Sequence, residues 1–210
     1  MASKNKVKFN ICNVHYAPIT VEEGVVTFAT PVAMPGAVSI SMDPTGEPES
    51  FYADGVEYYV INNNQGYEGD LELAMIPEAF RTDILKEESD ANKVLVENAN
   101  SETGSFALLF EFDGDVKKIR HVMYNCSASR PTIESKTNEE DKEVQTETLT
   151  VKARPLANGY VKAKTGDSTT DTVYNNWYKA VYEASDTVTE MAAIASTTGK
   201  INSTSSSSSK

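Results

Sequence analysis

The chain has 210 residues and a formal net charge of -12, with 40% apolar and 24% charged residues. That length fits one domain with room for an appendage, and a core of this size folds without staples, burying about 70% of its extended-chain surface. So acidic a surface argues against gripping nucleic acid, which rests on lysine and arginine displacing phosphate counterions. No apolar run approaches membrane-spanning length, and the lysine-dotted residues 1–10 lack the apolar stretch of a secretory leader. The composition therefore reads as a soluble protein made in the cytoplasm, with no membrane partner.

In chain order, residues 7–16 read as a first strand. Residues 25–28 and 37–42 read as two more, divided by Pro31 and Pro35-Gly36. Residues 43–49, Asp-Pro-Thr-Gly-Glu-Pro-Glu, hold no apolar side chain and predict an exposed loop. Two aromatic arms then flank Asp54-Gly55, a pair suited to the positive φ angles of a tight hairpin turn. After the polar loop 62–66, Leu71, Leu73 and Met75 alternate with Asp70, Glu72 and Ala74, the period of a half-buried strand. Pro77 ends that strand. A short helix is expected next, with Phe80, Ile84 and Leu85 on one face.

Phe106, Leu108, Phe110 and Phe112 share one face of the next predicted strand, and Ala107, Leu109 and Glu111 the other. Asp113-Gly114 turns the chain into a return strand within 116–130. There Val122, Tyr124, Cys126 and Ala128 are placed on one side, and Ile119, His121, Met123 and Asn125 on the other. Apolar residues on both faces predict burial on both sides, against the core and under a helix or a neighbouring subunit. A charged loop at 137–143 precedes a strand at 144–153 with Leu149, Val151 and Ala153 inward. Asn158-Gly159 makes a further turn before 160–163. The expected fold is mainly β, an antiparallel sandwich or partly closed barrel of roughly eight strands with one short helix.

Residues 1–165 are expected to form this β domain and 166–210 a C-terminal extension. Within the extension, Tyr174, Tyr178 and Tyr182 lie four apart beside Trp177 and Val181, predicting an aromatic helix over about 173–185. That helix could cover its own sheet or dock on a neighbour, and Trp177 and Tyr178 are interface candidates on the second reading. Residues 187–210 are dominated by Ser, Thr and Ala and read as a mobile tail.

Reaction chemistry is not evident. His15 and His121 sit on predicted strands outside any catalytic context, and no glycine-rich phosphate loop exists. Cys12 and Cys126 read as free thiols buried in strands. With two histidines they are too scattered for zinc, and no acidic loop follows the calcium pattern. Asp70 and Glu72 share a strand face about 7 Å apart, a spacing that suits a glycosidase dyad but is routine for surface acids. The chain is expected to be no enzyme and to need no cofactor or metal.

Taken together, Ala37-Val38-Ser39-Ile40-Ser41-Met42-Asp43-Pro44, the 51–85 stretch, Phe106-Ala-Leu-Leu-Phe-Glu-Phe-Asp-Gly-Asp and Gln145-Thr-Glu-Thr-Leu-Thr-Val resemble the major tail protein of long-tailed, non-contractile bacteriophages of Gram-positive hosts. The likeness runs over about residues 7–165. It implies a virion protein whose hexameric rings stack into the tail tube, with tape-measure, tail-terminator and tail-tip proteins as partners. DNA would pass through the lumen without specific binding. On this reading Phe51, Tyr52, Tyr58 and Tyr59 are ring-stacking candidates, because an exposed aromatic hairpin is otherwise an unexplained sticky patch. Asp70, Glu72, Glu111 and Glu147 are candidates for the lumen wall by strand alternation alone. The same β pattern and acidic surface also fit another class, a surface-displayed immunoglobulin-like or carbohydrate-binding sandwich module.

Overall fold

The structure, a computed structural model, describes residues 4–137 and 144–184. The predicted loop at 137–143 and the tail at 187–210 fall almost wholly outside the described residues. In chain order the elements are β1 (Lys8–Glu22), β2 (Val25–Phe28), β3 (Val32–Ala33), β4 (Ala37–Thr45), β5 (Glu49–Ala53), β6 (Val56–Ile61) and β7 (Gly66–Leu73). Then come α1 (Glu78–Asp83), β8 (Glu88–Ser89), β9 (Leu95–Val96), β10 (Phe106–Gly114), β11 (Ile119–Ala128), β12 (Glu147–Arg154), β13 (Lys162–Lys164) and α2 (Asp171–Asn176). The fold is mainly β, as expected, and its described pairings are antiparallel.

One sheet carries the architecture, in the order β2-β1-β10-β11-β12-β7-β4, with β3 along β1 and β13 along β11. It curls until β1 and β4 approach without pairing, so the barrel stays open at that seam. The concave face holds the main core. Phe106, Leu108 and Phe110 meet Leu71, Leu73, Leu149 and Val151 there, and α1 closes the cavity with Phe80. Phe80, Ile84 and Leu85 are fully buried, the face read from their spacing. Phe80 packs edge-on against Tyr16 and Phe106 at 5.0 and 5.3 Å, a geometry that aligns ring edge with ring face.

Several expectations need correction. The strand β4 runs on through Asp43 and Pro44 to Thr45, where a loop was expected; as an end strand it tolerates a residue without an N–H. In β7 the alternation stops at Leu73. Met75 is 73% exposed and Ile76 turns inward, its N–H held by the Glu147 carboxylate at 2.6 Å. β12 begins at Glu147, leaving Val144 exposed.

The faces of β11 also differ from a strict alternation. Val122 and Tyr124 lie on the outer side, but Cys126 and Ala128 join Met123 in the inner core. A register shift opposite Phe106–Leu108 adds a residue to β11, and one extra residue exchanges the two faces of the strand beyond it. β1 bends in the same way at two shifts, with Asn10 and Asn13 in the left-handed region that asparagine tolerates.

Candidate functional site

Three surfaces concentrate the residues singled out by the sequence. The first is the hairpin β5–β6. Asp54 and Gly55 take φ angles of 53° and 79°, so the two-residue turn closes between Ala53 and Val56 as the Asp-Gly pair predicts. The two strands form a sheet of their own, separate from the main one. Phe51, Tyr52, Tyr58 and Tyr59 are 58, 65, 72 and 64% exposed, and Val56 and Ile61 are exposed beside them. Apolar side chains therefore stand in water on both faces of a ribbon that is marginal alone.

The root of the hairpin is rigidly seated. Gly66 has φ 114°, and a Cβ there would stand 1.9 Å from the Ala153 carbonyl oxygen. Only glycine lets β7 start so close to β12.

The second surface is the convex face of β4, β7 and β12. Glu68, Asp70 and Glu72 stand in line on β7, opposite Asp43, Ser41 and Ser39 on one side and Lys152, Thr150 and Thr148 on the other. The hydroxyls donate to the acids: Ser39 and Thr146 to Glu72 at 2.8 and 2.7 Å, Thr150 to Asp70 at 2.9 Å. Those of Thr146 and Ser39 hold the Glu72 carboxyl below its usual range, so it stays ionised. Lys152 pairs with Glu68 at 2.8 Å. The arrangement is a polar lattice of acids and hydroxyls with one cation row at its border.

Glu147 is placed differently. It is half-buried at the end of β12, ion-paired to Arg81 at 2.7 Å and tied to the Ile76 backbone, so it pins α1 to the sheet. Glu111 departs furthest from its expected place. It is 3% exposed, and its carboxylate pairs with Lys118 at 2.9 Å and Arg120 at 3.0 Å and accepts the Tyr178 hydroxyl at 3.3 Å. A wall of a water-filled channel needs an exposed acid, and Glu111 is covered by residues 171–182.

That covering segment is the third surface. Trp177 is 2% exposed, donates its indole N–H to the His121 carbonyl at 3.3 Å and stacks on Tyr182 at 5.5 Å. Trp177 and Val181 pack over Ala17, Ala107, Leu109, Val122 and Tyr124, the outer side of β1, β10 and β11. Arg120 lies 3.8 Å from the Tyr174 ring and donates to the Tyr174 carbonyl oxygen. Of the two packings left open by the sequence, these residues adopt the one on their own sheet. The helix itself is shorter than expected, ending at Asn176, because the chain must leave helical spacing to lay Trp177, Val181 and Tyr182 along a strand surface. Trp177 is consequently no exposed platform for a sugar ring. Tyr178 remains half-buried, 4.6 Å from His15.

The histidines and thiols have local partners. His121 stacks flat on Phe110 at 5.1 Å, and burial with Lys164, Lys8 and Lys162 nearby pushes its pKa down to about 4. Cys126 is buried, and that burial raises its thiol to about 12. Cys12 is only half-buried, 3.5 Å from the Lys118 ammonium, and both thiols are free.

A family model described as phage tail tube protein matches residues 12–203. No curated protein matches the chain. Among solved structures, it is similar to the sheath/tube terminator of an extracellular contractile injection system, PVC, in the extended state. That likeness has a TM-score of 0.41 and 6% identity over 73% of this chain and 94% of that one. It is also similar to the anti-feeding prophage cap, the AFP tube terminating cap, with a TM-score of 0.42 and 10% identity over 78% of this chain and 95% of that one. Both likenesses are distant and carry no argument about function.

Proposed function

The chain belongs to the phage tail tube protein family, and from that premise we propose that it assembles with copies of itself into stacked hexameric rings. The rings form the tail tube of a long, non-contractile phage of a Gram-positive host, and the tube is the conduit through which DNA is ejected. Synthesis in the host cytoplasm precedes assembly. Tape-measure, tail-terminator and tail-tip proteins bound the tube, and DNA passes through it without specific binding.

The observation that supports this reading most is the hairpin β5–β6. Its aromatic residues are solvated on both faces, while of the other Phe, Tyr and Trp rings among the described residues all but Phe9 and Tyr160 are buried or half-buried. Apolar surface of that kind, on an element outside the main sheet, is what a contact between rings removes from water. The acid and hydroxyl lattice around Asp70 and Glu72 supplies the lumen wall on this reading. Like charge there keeps the phosphate backbone from adhering.

The test is assembly. Alanines at Phe51, Tyr52, Tyr58 and Tyr59 should leave a folded chain that no longer forms hollow tubes in negative-stain electron microscopy. Normal tubes from that variant would remove the stacking role.

A further inference from the structure

Charge is unevenly distributed along this chain. Between Lys8 and Arg81 there is no lysine or arginine, and eleven Asp or Glu fall in that interval. The hairpin lies in its middle, with Glu49, Asp54 and Glu57 among its aromatics and no cation of its own.

The opposite sign collects at one end of the sheet. Lys8 opens β1 across from Gly114, and Asn5 ties residues 4–7 to the β10–β11 turn by accepting the Val116 and Lys117 N–H groups at 2.9 Å. β13 then places Lys164 opposite His121 and Lys162 opposite Met123. Asn5, Lys117, Lys118 and Lys164 line one shallow cleft of about 230 Å³, with one acid, Asp167, among them. Lys118 is engaged by Glu111 and Asp113, but Lys4, Lys6, Lys8, Lys162 and Lys164 make no ion pair among the described residues. At the same end of the sheet, Val7, Phe9 and Val116 are 56, 55 and 50% exposed. The convergence is felt at His121, where the charges of Lys164, Lys8 and Lys162 add to burial in disfavouring the imidazolium.

We propose that the hairpin β5–β6 of one copy docks on the lysine-rich end of a second copy, its aromatics covering Val7, Phe9 and Val116 and its acids meeting Lys6, Lys8 and Lys164. This rests on the reading of the hairpin as an assembly element and adds the surface that receives it. The two surfaces match in both respects that matter: each exposes apolar side chains, and the hairpin has acids without a cation while the receiving end holds more lysines than acids, Asp113, Asp115 and Asp167 included. Because they are different patches of the same chain, the contact is heterologous, and it propagates from copy to copy instead of closing on a pair. Opposite charges also steer the approach and fix its register.

Charge reversal tests it. Glu49→Lys with Glu57→Lys is one variant, Lys6→Glu with Lys164→Glu the second, and all four changes together the third. Each of the first two should raise the protein concentration needed for tubes about tenfold or more, and the third should recover to within about threefold of the unaltered chain. Added salt should weaken the unaltered tube and strengthen assembly of the hairpin variant, where it screens lysine against lysine. Matching near-ultraviolet circular dichroism keeps folding out of the comparison. Where tubes form only on other tail components, the same variants are scored by the number of complete tails.

Failure of the fourfold variant to recover, or normal assembly of both reversals, overturns the proposal. If the reversals assemble normally but the alanine hairpin does not, the hairpin docks elsewhere, on another face or another tail protein, and the tube reading survives. If the alanine hairpin also assembles, both readings fall.

Discussion

Glu111 carries its carboxylate inside the fold, 3% exposed. It sits on β10 among buried apolar residues and lies directly opposite Arg120 on β11, with Lys118 two residues nearer the hairpin end. A buried acid with two cations and a tyrosine hydroxyl is satisfied in place, and removing its charge leaves Arg120 without its partner. Glu111→Gln should therefore cost on the order of 3 kcal/mol in urea unfolding. The expected Asp113-Gly114 turn was wrong and would have set Glu111 opposite Val116. β10 instead runs through Gly114 and the chain turns over residues 115–118, which brings Arg120 across. What the strand pattern did not reveal was the segment that covers it, sixty residues further on.

His121 makes a separate statement. Its imidazole is held neutral down to about pH 4 in the folded chain, against 6.5 for an ordinary histidine. As pH falls through that window the unfolded chain takes up a proton that the folded chain refuses, so this site withdraws stability and stops doing so below about pH 4. The full effect is at most about 3 kcal/mol. His121→Phe should show a smaller fall in melting temperature between pH 7 and pH 4.5 than the unaltered protein, the carboxylates being common to both.

Among the elements, those set by local chemistry were readable. The Asp54-Gly55 turn, the helix face of Phe80, Ile84 and Leu85, and the double burial of β10 follow from residue type and spacing. Those set by distant contacts were not. The exchange of faces in β11 comes from a bulge that no residue type announces, and α2 stops short because the sheet beneath Trp177 outweighs its helical stripe. The strands β3, β8 and β9 are two residues each and too short to carry a period. Residues 171–182 hold their position through one large anchor. Trp177→Ala should destabilise the chain by about 3–5 kcal/mol, measured by denaturant unfolding, by emptying the site over Leu109 and Val122. The hairpin behaves in the opposite way: its four alanines should change folding stability by about 0.5 kcal/mol or less each, being solvated already.

For the whole molecule, strand order is the part that sequence could not supply. β12 brings residues 147–154 between β11 and β7, and only that pairing sets Thr148 and Thr150 beside Glu72 and Asp70. The lattice is thus a product of topology, though its acids were visible by alternation. On the tube reading, Asp70→Lys with Glu72→Lys should assemble and then slow DNA release from triggered particles severalfold, as cations in the wall attract phosphate. Unchanged release from normal tails would move the lumen to another face.

The separateness of β5–β6 from the main sheet has a thermodynamic consequence. An element that contributes nothing to the fold of its own subunit can be altered without touching that fold, so cohesion of the polymer and integrity of the monomer are independent quantities. Calorimetry of assembled particles should then resolve two events, dissociation first and melting second. Hairpin substitutions would shift only the first, and core substitutions such as Trp177→Ala chiefly the second.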